Sequence, residues 1–137
     1  MDRLNKEARS WNMSRIRSKD TTPERVVRSM LHRLGYRFRL HSGLLPGRPD
    51  IVLPKYKTVV FVHGCFWHRH ARCSLAYMPK SRIEFWKHKF SSNVERDRRV
   101  IKALRTKGWQ VLVVWECELS DAPVVLRRLN RELRHMK

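Results

Sequence analysis

Two short apolar runs limit what this chain can fold into. Residues 59–62 and 111–115 are rich in β-branched side chains, and each run has the length of a β-strand. The second run is apolar at every position, which is typical of a central strand buried on both faces. Helices must supply that cover, so the sequence predicts a mixed α/β fold with a small central sheet. Neither run is long enough to cross a membrane.

The segment before the first run carries the signals of a helix. Thr21 and Glu24 have the spacing of a capping box at a helix start. Apolar side chains then repeat with helical period as far as Leu34, and Gly35 is a typical helix end. The pattern therefore predicts a first core helix over residues 23–34.

The other elements follow from alternation and composition. We expect residues 20–137 to form one domain, preceded at residues 1–19 by a basic arm for which a solvated tail is the alternative. In chain order the sequence predicts a half-buried strand at 36–40, strands at 50–53 and 58–63 joined by a turn at Pro54-Lys55, a helix over 81–107 that could divide near Ser91-Ser92, and a last helix over 124–133.

The charge balance indicates the kind of partner. Lys and Arg number 31 against 12 Asp and Glu, which leaves a net charge of +19. Because 42% of the residues are hydrophobic, the chain has enough apolar surface to fold, which argues against a protein that is disordered throughout. A folded domain this basic predicts a polyanionic partner, of which nucleic acid is the commonest. The amino terminus has no apolar leader, so we expect a cytoplasmic protein with no membrane contact.

The three cysteines indicate a metal site. Two of them lie in one irregular loop together with two histidines, and the third follows the second apolar run. An odd number of thiols without a secretion signal argues against disulfides. A tetrahedral zinc site needs four ligands, and the candidates are Cys65, His70, Cys73 and Cys117, with His68 as the alternative histidine. The competing interpretation is that the third cysteine is an ordinary buried residue and the loop thiols only fill space.

Two further residues have the chemistry of a nuclease. Asp50 opens a predicted strand, a position where metal-dependent nucleases often hold Mg²⁺. The next strand carries Phe61 and His63 where an acid and a lysine would complete that pattern, so the match is partial. A turn residue is the alternative interpretation of Asp50. If zinc takes His70, His68 can act as a general base near neutral pH.

Large aromatic side chains lie in or near residues 64–79, the irregular segment with Cys65 and Cys73 that is called the cysteine loop below. Phe66 and Trp67 are adjacent, so both cannot readily face the core from an irregular loop, and Trp86 lies in charged surroundings. Aromatic side chains interleaved with basic ones are typical of proteins that unstack bases. Trp109 and Trp115 fit the apolar strand pattern, and we expect them in the core.

These motifs resemble one known family, the very short patch repair (Vsr-type) DNA mismatch endonucleases. The resemblance runs from about Asn12 to Glu118 and is carried by five collinear blocks. They are Leu-Pro-Gly-Arg-Pro-Asp at 45–50, His-Gly-Cys-Phe-Trp-His at 63–68, Glu-Phe-Trp at 84–86, Asn-Val-Glu-Arg-Asp-Arg-Arg at 93–99, and the segment 108–117. The resemblance implies a restriction-endonuclease-like fold with a structural zinc ion and a catalytic Mg²⁺ ion.

The resemblance also implies roles for individual residues. Asp50 matches the catalytic aspartate, which would hold Mg²⁺ together with the backbone carbonyl of Val62. His63 and His68 match the active-site histidines, and His68 is the better candidate for deprotonating the attacking water. Asp97 would orient His68.

The remaining implied residues bind metal or DNA. Glu24 matches a carboxylate that reaches the catalytic metal through water, and the implied zinc ligands are the four candidates named above. The residues implied to contact DNA are Met13 and Ile16 of the arm from the minor groove, and Phe66, Trp67 and Trp86 from the major groove.

The function that the resemblance implies is that of an endonuclease nicking one strand of duplex DNA beside a T·G mismatch left by deamination of 5-methylcytosine. We expect a monomer, with a mismatch-repair protein or a DNA methyltransferase as candidate partners. Two alternatives remain. One is a restriction-like or general endonuclease without mismatch specificity, and the other is a zinc-containing nucleic-acid-binding module without catalysis.

Overall fold

The computed structural model describes residues 21–135. Within this range a four-stranded sheet has the order β1-β2-β3-β4. The strands are β1 at Arg39–Leu40, β2 at Ile51–Leu53, β3 at Thr58–His63 and β4 at Gln110–Trp115. Neighbours among the first three strands are antiparallel, whereas β3 and β4 are parallel. The mixed α/β class with a small central sheet is therefore confirmed.

Helices of very different length surround this sheet. Among the described residues they are α1 at Thr22–Arg33, α2 at Cys65–His68, α3 at Ile83–Thr106 and α4 at Ala122–Arg134. Short 3₁₀ helices follow β2 and β4. In this part of the chain, no helix combines the length and the apolar character needed to cross a bilayer.

Strand β3 separates two apolar layers. Val60 faces a layer that α1 and α4 complete with Leu31 and Leu129. The next residue, Phe61, faces the opposite layer, where Leu104 of α3 packs. All residues of β3 are buried, and each fully buried aliphatic side chain contributes about 1.5–3 kcal/mol to folding. The centre of the fold is therefore β3.

The apolar run at 111–115 is not a central strand, contrary to the prediction. β4 lies at one edge of the described sheet, and three of its six residues are only half-buried. Arg128 of α4 covers this edge, because its Nη2 donates a hydrogen bond to the Val113 carbonyl at 2.6 Å. A side chain thus satisfies one carbonyl of a strand edge with which a further strand could otherwise pair.

The predicted strand at 36–40 is reduced to the two residues of β1. Its partner β2 is only three residues long, because Pro49 and Pro54 flank it and cannot donate to a ladder. Tyr36 packs instead against the Tyr56 ring at 5.1 Å and donates from its hydroxyl to Asn130 Oδ1 at 2.7 Å.

Helix α3 is continuous, so the predicted division near Ser91-Ser92 is wrong. Both serines are exposed, while the preceding Phe90 is buried against the aromatic side chains of the cysteine loop. Packing on that side outweighs the small helix penalty of two serines. The predicted first and last helices and the 50–63 hairpin are confirmed within one or two residues at each end.

Candidate active site

The first group of polar residues lies where α1 meets the start of β2. Asp50 directly precedes β2, and its Oδ2 accepts a hydrogen bond from the Val62 N–H at 2.6 Å. Glu24 is 2% exposed and hydrogen bonds to Asp50. His41 completes the group, because donor atoms of Glu24, His41 and Asp50 all lie within 4.8 Å of one another.

The first turn of α1 positions Glu24. Thr21 Oγ1 accepts a hydrogen bond from the Glu24 N–H at 3.4 Å, as the capping spacing predicts. The Glu24 carboxylate faces Asp50 and also lies 3.1 Å from Nη2 of Arg28, one turn further along the helix. The sequence signal for a helix start therefore also marks an acidic residue of the site.

The surroundings of Asp50 favour a bound cation. Burial raises the pKa of Asp50 to about 7, and the nearby Glu24 adds to the rise, against the opposing effects of the Val62 N–H and Arg28. Two carboxylates this close and this poorly solvated are costly to ionise together unless a cation offsets their repulsion. Carboxylate oxygens are also the ligands that Mg²⁺ prefers. The residues present therefore fit the magnesium site that the resemblance implies.

His41 is a member of this group that sequence reasoning missed. It follows β1, and its N–H donates to the Asp50 carbonyl at 3.3 Å, which continues the β1–β2 ladder by one pair. Its Nε2 lies 3.0 Å from Nη2 of Arg28 and 3.5 Å from Oε2 of Glu24. Only the register of a two-residue strand places His41 here, so periodicity could not have found it.

The second group lies just beyond the end of β3. His68 Nδ1 and Asp97 Oδ2 are 2.6 Å apart, so Asp97 is placed where it can orient His68. The rings of His63 and His68 stack with centroids 3.8 Å apart and planes within 3°. Imidazole lone pairs lie in the ring plane, so two parallel stacked rings are poorly arranged to share one metal ion. The group is better suited to proton transfer.

His63 serves this group as a neutral platform. It is 6% exposed, and burial, followed by the charge on His68, lowers the pKa of His63 to about 4. A neutral His63 can stack on His68 without charge repulsion when His68 takes up a proton.

The third group contains the three cysteines and one histidine. Cys65, His70, Cys73 and Cys117 each place one donor atom within 4.8 Å of the others. His70 Nδ1 is 3.6 Å from Cys65 Sγ and 3.3 Å from Cys117 Sγ. Burial raises the pKa of Cys65 to about 12 and also raises that of Cys117, whereas the pKa of Cys73 is lowered, chiefly by a hydrogen bond from the Leu75 N–H. Cys73 is therefore the thiol of the group that most readily forms the thiolate that metals bind. Three thiols and one imidazole suit a structural zinc ion, and His68 is not part of the group.

Sheet topology joins the second and third groups. β3 and β4 are parallel, and their last residues, His63 and Trp115, are paired. Cys65 and Cys117 therefore follow the two strands at the same end of the sheet. The Trp115 ring stacks on His70 at 4.2 Å and meets the His63 ring edge-on at 5.2 Å. Trp115, predicted as a core residue, is half-buried and lies between the two groups.

The predicted DNA-contacting aromatics form one cluster beside α2. Phe66 and Trp67 are half-buried, and the Phe66 ring lies 5.1 Å from Trp67, 5.6 Å from Trp86 and 5.1 Å from Phe90. Trp86 is only 4% exposed, so as placed it supports the two neighbouring rings from beneath. Met13 and Ile16 lie outside the described residues, and the DNA contacts of the set stay a prediction.

Several known proteins are similar to this chain in sequence. Residues 1–74 match the family model described as DNA mismatch endonuclease Vsr. The chain belongs to the Vsr family. One relative, the type II nicking enzyme V.XorIIP of Xanthomonas oryzae pv. oryzae, is 52% identical over 132 residues, which cover 96% of each chain. Another, the DNA mismatch endonuclease Vsr of Escherichia coli strain K12, is 50% identical over 114 residues, which cover 83% of this chain and 72% of the relative.

A solved structure shares the fold of this Vsr-family chain. The catalytic domain of the homing endonuclease I-Bth0305I matches with a TM-score of 0.62 at 23% identity, over 85% of this chain and 98% of that domain. The fold prediction is confirmed. Family membership makes the protein an endodeoxyribonuclease, so the alternative of a binding module without catalysis is wrong.

Proposed function

We propose that this Vsr-family endonuclease nicks one strand of duplex DNA beside a T·G mismatch, at a site built from Asp50 and His68. The observation that carries the proposal is that the two polar groups contact consecutive residues of β3. Asp50 accepts from the Val62 N–H, and the next residue, His63, stacks on His68. A cation-binding carboxylate and a candidate general base are therefore held by consecutive residues of one buried strand.

The chemistry follows from these positions. Asp50, the Val62 carbonyl and water molecules, including water hydrogen bonded to Glu24, would hold Mg²⁺. Bound there, the ion would neutralise charge on the scissile phosphate. His68 accepts a proton from the attacking water as the water oxygen bonds to phosphorus. The phosphorus–oxygen bond to the leaving nucleotide breaks, and that oxygen takes a proton from solvent. Asp97 stabilises the imidazolium and holds the ring in place.

We propose zinc as the metal of the Cys65, His70, Cys73 and Cys117 group, with a structural role. Zinc there would link the loop after β3 to the residues after β4. Helix α2, which carries His68, begins at the ligand Cys65 and would be held by that link. A short irregular segment with little core of its own gains most from such a link.

Selectivity is proposed to come from the aromatic cluster. A mismatched base step costs less to unstack than a paired one, which gives part of the preference. The +19 charge supplies attraction to the duplex without sequence preference. We place the reaction in the cytoplasm, carried out by a monomer, with a mismatch-repair protein or a DNA methyltransferase as candidate partners.

The test of this function is the variant Asp50→Ala. It should abolish Mg²⁺-dependent nicking of a T·G duplex and retain mismatch binding, because the carboxylate acts on the metal and not on the bases. His88→Ala, at an exposed position of α3, is the control and should nick normally. Retained Mg²⁺-dependent nicking by Asp50→Ala would falsify the assignment. Equal cleavage of T·G and matched duplexes by the unmodified protein would favour a restriction-like or general endonuclease.

A further inference from the structure

The aromatic cluster of Phe66, Trp67, Trp86 and Phe90 reaches the surface at a residue outside the predicted DNA-contacting set. Tyr77 is 62% exposed, and its ring packs on Phe66 with centroids 5.0 Å apart. Leu75 and Met78 of the same segment are exposed as well, at 45% and 42%. Phe85, stacked on the buried Trp86 at 5.1 Å, is 39% exposed. An exposed apolar patch of this kind marks a contact surface.

Arg69 holds the Tyr77 segment in place. Its guanidinium donates to the Tyr77 carbonyl at 3.0 Å, the Ala76 carbonyl at 2.8 Å and the Phe66 carbonyl at 3.1 Å. The same guanidinium lies 3.9 Å from the centroid of the Phe90 ring. The exposed Tyr77 is therefore fixed relative to the aromatic cluster before any partner binds, which lowers the entropy cost of binding.

The charge around the patch selects among its partners. Residues 69–89 carry six cations, Arg69, Arg72, Lys80, Arg82, Lys87 and Lys89, against the single acid Glu84. A second copy of so basic a surface would be repelled, whereas a nucleic acid offers phosphates to the cations and base faces to the rings. His68 lies between Phe66 and Arg69 in the chain, so the patch adjoins the proposed general base.

We infer that Tyr77 belongs to the surface that unstacks the DNA and that its ring stacks on a base next to the mismatch. The inference rests on the proposed function and extends it. In this arrangement Phe66 and Trp67 insert between the two base pairs of the step, and the buried Trp86 packs behind them. The ring of Tyr77 stacks on the base that they displace.

The experiment measures base unstacking without nicking. A short duplex with one T·G pair carries 2-aminopurine in the adjacent step, in the strand opposite the base on which Tyr77 stacks, so that the tyrosine ring does not quench the probe. The duplex is titrated with the zinc-loaded protein without added Mg²⁺, and the rise in fluorescence reports unstacking. Tyr77→Ala should lose most of the rise and weaken the mismatch Kd about tenfold, whereas Tyr77→Phe should keep both, because the ring and not the hydroxyl stacks. Val124→Ala, which shortens an exposed side chain on α4, is the control and should match the unmodified protein.

The inference is overturned if Tyr77→Ala, with an unchanged melting temperature, keeps the full fluorescence rise and the full affinity. It is also overturned if that variant alters only self-association in sedimentation, because the patch then binds a second copy. The fluorescence does not depend on nicking. A signal that depends on Tyr77, in a protein that nicks matched and T·G duplexes equally, would therefore count against the proposed mismatch specificity and not against Tyr77.

Discussion

His68 derives its proposed role from two neighbours on different elements. Asp97 of α3 holds one ring nitrogen at 2.6 Å, and His63 of β3 supports the ring face at 3.8 Å. Orientation and tautomer are therefore set before DNA binds, which is what a general base requires.

Removal of these groups should slow nicking in a graded way. His68→Ala should lower the single-turnover nicking rate by about 100-fold or more, since proton transfer loses its base. Asp97→Asn should have a smaller effect, because it removes the stabilising charge and leaves the ring. Both variants should bind the T·G duplex with unchanged Kd, and His88→Ala serves as the control. A normal nicking rate for His68→Ala would assign the base to another residue.

The sequence and the structure agree at the residue scale where the site lies in short blocks of chain. His63, Cys65 and His68 fall within six residues, and the structure places all three at one end of β3. His41 was missed because its proximity to Asp50 depends on strand register. The sequence predicts Trp86 at the DNA surface, whereas the structure buries it, because rings from α2 that a local pattern does not reveal pack against it.

At the scale of elements, the loop before β2 must pass close to α3. Gly47 has φ of +73°, and a Cβ there would lie 2.3 Å from Cγ1 and 2.9 Å from Cγ2 of Val100. Close approach at this point brings the residues that lead into Asp50 against the helix that carries Asp97. The glycine thus helps to set the spacing between the two polar groups.

Gly47→Ala should therefore destabilise the protein more than an alanine at a glycine that needs only backbone freedom. We expect a loss of about 2–4 kcal/mol in the free energy of unfolding from combined backbone strain and overpacking. Gly35 has φ of +85°, and a Cβ there would meet nothing within 4 Å, so Gly35→Ala should cost only the backbone strain, about 1–2 kcal/mol. Urea unfolding measures both. Equal losses would show that the Val100 contact carries no weight.

The elements that periodicity predicts well are those whose burial pattern is local. Helix α1 needs only its own apolar repeat and Thr21, and α4 only its apolar stripe. The edge position of β4 could not be predicted in this way, because an apolar run does not show whether a further strand or a side chain such as Arg128 of α4 meets its outer carbonyls. β1 is short because its partner β2 is only three residues long and is flanked by Pro49 and Pro54. This cause lies outside the segment 36–40 and could not be read from its own alternation.

At the scale of the whole molecule, the cysteine group links segments that are far apart in the chain. Cys65 and Cys117 are 52 positions apart, yet a donor atom of each lies within 4.8 Å of the other's. A metal ion at this point would constrain both parallel strands together with the loop between β3 and α3.

Removal of the metal should therefore affect global stability. We expect about one zinc per purified chain, and Cys117→Ser should lose it and lower the melting temperature by about 10 °C or more. Ser74→Ala, an exposed position of the same loop, is the matched control and should keep both the zinc and the melting temperature. Metal analysis and thermal unfolding provide the measurements. A zinc-free protein of unchanged stability would rule out the structural zinc.

The parallel pairing of β3 with β4 also bears on the order in which the chain becomes active. The β2–β3 hairpin is local and can form early, but His63 meets Trp115 only after α3 has crossed between the two strands. Such long-range pairings form late, since a large loop must close first. Asp97 likewise reaches His68 only once α3 has docked. On the proposed mechanism, a partly folded or newly synthesised chain would thus lack an oriented general base and would not nick DNA.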